Sequence, residues 1–200
     1  SSWPAPELAV YWFFSLLLLP LFSLFFTANQ LCSDLERGTL RFLSLRSSRS
    51  SIVLGRFAGQ MLVQASLILL TLLATLLLSA WRAEGLSLQM CNAAAVIFVN
   101  LLLVLLPFTA LMSVFSALVR TAKLAVSLAI VSIGMCFGLL SWFIFYFPDF
   151  LFLLGYLPGT QVMQLLPLYG WQTLQHAALP LGQSLVLLTL ATITVNRRAL

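Results

Sequence analysis

The sequence predicts an all-α polytopic membrane protein, and three observations predict it. Hydrophobic residues make up 62% of the 200 residues and charged ones 8%, whereas a soluble domain carries about 25% charge. Five apolar runs reach the length of about 20 residues that a helix needs to cross roughly 30 Å of hydrocarbon. The charges fall between these runs rather than inside them. The net charge of +5 is thus spread over short connections, where it acts as an orientation signal. It does not form a nucleic-acid groove.

The spans are expected near Ala9–Ala28, Phe57–Ala80, Ala93–Val119, Leu124–Phe147 and Gln175–Thr194, within one membrane domain covering residues 1–200. The first run has no basic segment before it and no small-residue cleavage site after it, so it is not a signal peptide. Arg37, Arg41, Arg46, Arg49 and Arg56 follow the first run, Arg120 and Lys123 the third, and Arg197 and Arg198 the fifth. Only Arg82 lies on the opposite side, with Glu7, Glu84 and Asp149. The positive-inside rule places the nine in the cytoplasm and the visible N-terminus outside. The chain begins Ser-Ser-Trp-Pro without an initiator Met. A further span upstream is expected to have carried that end across, a translocated end of a five-span protein being the alternative.

The first connection, Ser33–Arg56, is a charged island. It reads as a short helix, a turn and a second helix start. Leu35, Phe42 and Leu43 share one face at the helical period. Asp34 and Glu36 lie at the N-terminal end, where negative charge suits the dipole, and Arg41 and Arg46 lie toward the other. Gly38 weakens this helix or admits another backbone. Ser47 and Ser48 break it, and Ser50 or Ser51 is expected to cap the next helix. Such a segment either meets a cytosolic partner or rests on lipid headgroups.

Glu36-Arg37-Gly38-Thr39-Leu40, then Leu43, Ser48-Arg49, Ile52 and Gly55-Arg56, resemble the signature loop of ABC-2 type permeases. The subgroup that includes the permease of the nitrous-oxide-reductase maturation transporter is the most similar. The family's proline before the Ser-Arg pair is replaced here, with Arg46 in its neighbourhood. The resemblance implies that the loop couples to a separate ATPase through Asp34, Leu35, Glu36, Arg37, Gly38, Thr39, Arg41, Phe42, Leu43 and Arg49. It also implies six spans in the full unit, two permeases with two ATPases, and ATP and magnesium held by the partner subunit rather than by this chain. The basic ending Asn196–Leu200 is similar to the ends of these permeases.

The connection Pro148–Leu174 holds two apolar pieces too short to span, Phe150–Tyr156 and Val162–Leu168, around a Pro158-Gly159 turn. This predicts a re-entrant hairpin on the outer side. An interfacial loop anchored by Tyr156, Tyr169 and Trp171 is the alternative. The resemblance implies that the hairpin closes the outer end of a pathway.

Within the spans, Gly134 and Gly138 form a G-x-x-x-G that permits close helix approach. Gln60 and Gln64 share a helix face. Asn100 sits inside the third span, and Pro107 is expected to kink it. These amides either bond neighbouring helices or line a pathway. No Asp, Glu, Lys or Arg lies in a span core, which disfavours an ion-coupled carrier. His176 stands alone at an interface. Cys32, Cys91 and Cys136 lie at different depths, with no disulfide or metal spacing. No Walker A, G-x-S-x-G or H-E-x-x-H motif occurs, so the chain is not expected to be an enzyme.

The reading that joins these observations is a permease subunit of an ABC exporter in the cytoplasmic (inner) membrane of a bacterium. The partners are an ABC ATPase, a second permease copy and the lipid bilayer, with no nucleic acid. A haem-export-type permease, a membrane assembly or scaffold protein, and a fragment of a secondary transporter are the competing readings. The substrate is not legible.

Overall fold

The computed structural model describes residues 3–28, 32, 48–83, 85, 87–119, 121–165 and 171–197. Among these there is no strand. Five helices are long and apolar enough to cross a membrane, as the composition predicts.

Helix α1, Pro6–Thr27, opens on a proline whose missing N–H costs nothing in the first turn. Leu8, Trp12, Leu16, Pro20, Ser23, Leu24 and Thr27 are buried at spacings of one helical face. Phe13, Phe14, Leu18, Leu21 and Phe22 on the other faces are exposed. A helix apolar all round, with only one face covered by protein, has lipid for its other solvent.

Helix α2, Arg49–Arg82, runs 34 residues and begins two turns before the expected span. Its cap corrects the sequence expectation. Ser48, in extended conformation, accepts the Ser51 N–H at 3.2 Å, while Ser50 and Ser51 lie within the first turn. The Ser48 hydroxyl also meets those of Ser50 and Ser51. A cap is chosen by backbone geometry among neighbouring serines, and apolarity does not register it. The helix also outlasts the hydrocarbon, because intrahelical bonding does not stop at Arg56.

Helix α3, Leu88–Leu118, is capped by Ser87, which accepts the Met90 N–H at 3.2 Å. It stays helical through Pro107. It is the hub of the fold and packs on α1, on α2, on helix α4, Ala122–Tyr146, and on the last helix. In its most apolar stretch 61% of residues are buried, against 11% for α4. On α4 only Ala125 and Ala129 are buried, both near its start.

After α4 come a 3-10 helix, Pro148–Tyr156, the short helix α5, Thr160–Leu165, and a second 3-10 helix, Trp171–His176. The latter runs into α6, Ala178–Arg197. Together they supply the fifth span, residues 173–197.

Two contacts fix the direction of the bundle. Arg82 donates to Glu7 at 2.7 Å, joining the end of α2 to the start of α1. Ile52 and Val53 of α2 cluster with Ala117 of α3 and Ala191 and Val195 of α6 at the opposite end. Cys32 lies buried there too, its thiol donating to the Val119 carbonyl at 3.5 Å. Consecutive spans therefore alternate in direction. Arg56, Lys123 and Arg197 gather toward the end that carries Cys32, and Arg82 stands at the other.

Candidate functional site

Three helices meet through one buried polar cluster. Gln64 of α2 donates to the Ser23 hydroxyl of α1 at 3.0 Å and accepts from Thr109 of α3 at 3.2 Å. The Ser23 and Thr109 hydroxyls lie 3.2 Å apart. All three residues are buried. In hydrocarbon an amide without a partner costs several kcal/mol, so this closed triangle holds α1, α2 and α3 in register. Thr109 shares its one hydroxyl proton between Gln64 and the Leu105 carbonyl, Ser113 donates to the Thr109 carbonyl, and Ser116 donates to that of Ser113. A ladder of hydroxyls thus runs along α3 toward Cys32. Gln60, one turn from Gln64, is half-exposed and stands outside the triangle.

Asn100 makes the second buried contact. Its amide donates to the Val96 carbonyl at 2.9 Å and to the Thr173 hydroxyl at 2.6 Å. Two turns nearer the start of α3, Asn92 accepts from the Trp171 indole at 3.0 Å. The last leg of the connection between α4 and α6, Trp171–His176, is therefore pinned along α3 at two heights. The first leg, Pro148–Tyr156, has no buried residue. It stacks on α4 through Phe143, Phe147, Phe150 and Phe152. Gln183 of α6 donates to the Tyr156 carbonyl.

The turn between the legs goes deep. Gly159 has φ of +104°, a region side chains rarely adopt. A Cβ there would stand 3.7 Å from the Phe108 ring. Phe108 lies past the middle of the 31-residue α3, and helical side chains lean toward the helix start. The tip therefore meets α3 near its midpoint, and Val162 and Leu165 join the main core. A cavity of about 430 Å³ separates the hairpin from α6, between Tyr156, Pro158, Gly182, Gln183, Val186 and Leu187.

The other sequence candidates are not gathered into this site. Asp34, Leu35, Glu36, Arg37, Gly38, Thr39, Arg41, Phe42 and Leu43 lie outside the described residues, and Arg49 opens α2. Gly134 and Gly138 face away from the bundle, with nothing within 4 Å of a Cβ built on either. His176 is exposed in the second 3-10 helix. Cys32, Cys91 and Cys136 are not joined in a disulfide. Among the described residues no group of three His, Cys, Asp or Glu stands close enough to hold a metal.

The polar partners Ser23, Thr109, Thr173 and Asn92 were not singled out in the sequence. Hydroxyls bond their own helix and barely interrupt an apolar run. Their one signal is spacing, since Ser23 and Thr27, and Thr109, Ser113 and Ser116, recur at helical period.

The sequence model described as ABC-2 family transporter protein matches residues 13–192. The chain belongs to the ABC-2 transporter family. The match covers α2, α3 and α4 in full and most of α1 and α6, together with the loop that carries Glu36–Leu40. Curated proteins yield no match. As an ABC-2 family member the chain is a multi-pass membrane component of an ABC transporter, and the polar triangle and hairpin are parts of its transmembrane unit.

Proposed function

We propose that the chain is the permease subunit of an ABC exporter, driven by ATP that a separate subunit binds with magnesium and hydrolyses. The observation that carries this is the family match over residues 13–192, joined to the charged loop within it. The working unit is two permeases with two ATPases in the cytoplasmic membrane of a bacterium. The basic end of the bundle faces the cytoplasm, because positive charge stays on that side. The subgroup of the nitrous-oxide-reductase maturation permease is the one the loop resembles most. Asp34–Leu45 seats in the ATPase, and closure of the ATPase pair moves α2, which begins directly after the loop. A nucleotide state shifts the bundle only through contacts that differ between states, and this loop supplies them.

The test is affinity capture of the ATPase by the full-length permease. Truncating a central interface residue costs about 2 kcal/mol or more, or roughly 30-fold in affinity. Phe42→Ala and Glu36→Ala are expected to weaken capture by that factor, with normal membrane insertion. Full capture and full transport-coupled hydrolysis in both variants refute the coupling role. Loss tracking anionic lipid rather than Glu36 points instead to a helix resting on headgroups.

A further inference from the structure

We propose that the slot between α1 and α2 binds one acyl chain of a bilayer lipid, taken from the leaflet at the basic end. The slot is a cavity of about 100 Å³ between Leu19, Phe22 and Phe26 of α1 and Leu67 and Thr71 of α2, with Leu105 of α3 behind. Its floor is the face of the Ser23–Gln64–Thr109 triangle together with Ile68, which is buried. The rim is open, Phe22, Phe26 and Leu67 being 49%, 59% and 46% exposed.

The occupant follows from the walls. The floor's polar groups bond one another, so the slot offers its guest an apolar lining and no ionic partner. An empty apolar cavity of about 150 Å³ takes up a benzene-sized molecule, so this one suits a few methylenes. A notch left empty forfeits dispersion contacts for every lining atom. The rim is continuous with the exposed face of α1 and α2, both membrane spans, and the material against that face is hydrocarbon chain.

The direction of entry follows from the ends. Toward the Glu7–Arg82 end the slot is closed by Tyr11, whose hydroxyl lies 2.9 Å from that of Thr71. Toward the basic end Phe26 is the penultimate residue of α1. Leu19 to Phe26 spans about 10 Å along the helix. A chain therefore enters past Phe26 and stops below Tyr11. There it covers the polar triangle and packs α1 against α2 where their own side chains leave a gap.

Photolabelling tests this with the full-length protein in phosphatidylcholine nanodiscs that carry a diazirine on one acyl chain. Labelling of Phe22, Phe26 and Leu67 is expected at least about threefold above that of Leu62 and Leu185. Those residues of α2 and α6 are more open, 69% and 65% exposed. Leu67→Trp fills the slot and removes the excess while Leu185 stays labelled. Equal labelling at both places, or an excess that survives Leu67→Trp, overturns the proposal and leaves general lipid contact only. If Leu67→Trp also changes Leu185 labelling, the fold has shifted and Phe22→Ala decides. It removes one wall without adding bulk and must at least halve the excess, and an unchanged excess again overturns the site. Labelling needs neither ATPase nor turnover, so its failure is distinct from failure of the transport reading.

Discussion

Gln64 has hydrogen bonds to two other helices, and Gln60, one turn away on the same helix, is half-exposed outside that cluster. Interhelical hydrogen bonds in membranes average about 0.6 kcal/mol and reach about 1.7. Gln64→Leu is therefore expected to cost about 1 kcal/mol, read as a lower unfolding midpoint in detergent, while Gln60→Leu stays within about 0.5 kcal/mol. Equal effects would show that the triangle does not tie the helices. At the hairpin tip Gly159 has space for a methyl group but not the backbone angle, so Gly159→Ala is expected to cost about 1–3 kcal/mol. The cost is local, and amide hydrogen exchange between Leu157 and Thr160 should accelerate before the spans unfold. The amides of Gln64 and Asn100 were legible in the sequence because an amide is conspicuous in a lipid-soluble run. Their partners Ser23, Thr109 and Thr173 were not, because a single small hydroxyl leaves little mark on the hydropathy of an apolar run.

Among the spans, α4 is the least enclosed. Its buried residues are Ala125 and Ala129, and it leaves Gly134 and Gly138 bare. A Cβ added at those glycines meets nothing within 4 Å, so a lowered dimer fraction there reports a contact with another molecule. If the second permease copy packs there, Gly134→Leu and Gly138→Leu lower the dimer fraction in size-exclusion chromatography without changing the unfolding midpoint. An unchanged dimer fraction removes α4 from the interface. The five spans were legible from length and apolarity alone, since hydrocarbon thickness sets both. Their ends were not. Helices α2 and α3 run beyond the apolar stretch, and the Ser48 cap depends on φ and ψ rather than composition. The hairpin was legible from Pro158-Gly159 between two short runs. Its depth needed the contact with Phe108, which joins residues 51 positions apart.

For the whole molecule the open quantity is which end faces the cytoplasm. The bundle places Arg56, Lys123 and Arg197 at one end and the Glu7–Arg82 pair at the other. Positive charge retained in the cytoplasm then predicts the outcome of cysteine labelling in intact cells. In a background with the native thiols replaced, Asp149→Cys reacts with an impermeant maleimide. Ser47→Cys and Ala199→Cys react only after permeabilisation. The reverse pattern inverts the molecule and detaches the coupling loop from any cytosolic ATPase.

The unbroken length of α2 has a mechanical consequence. A 34-residue helix is a rod of about 51 Å, and a tilt of about 10° around its centre displaces each tip by about 4 Å. A push delivered beside Ser48 would thus arrive at Arg82 without any intermediate switch. The clasp waiting there, Arg82 on Glu7, sets a largely solvated guanidinium on a mostly covered carboxylate and holds with about 1 kcal/mol. Such a clasp yields to lever motion rather than resisting it, so its opening is a gauge at one face of the membrane for force applied at the other.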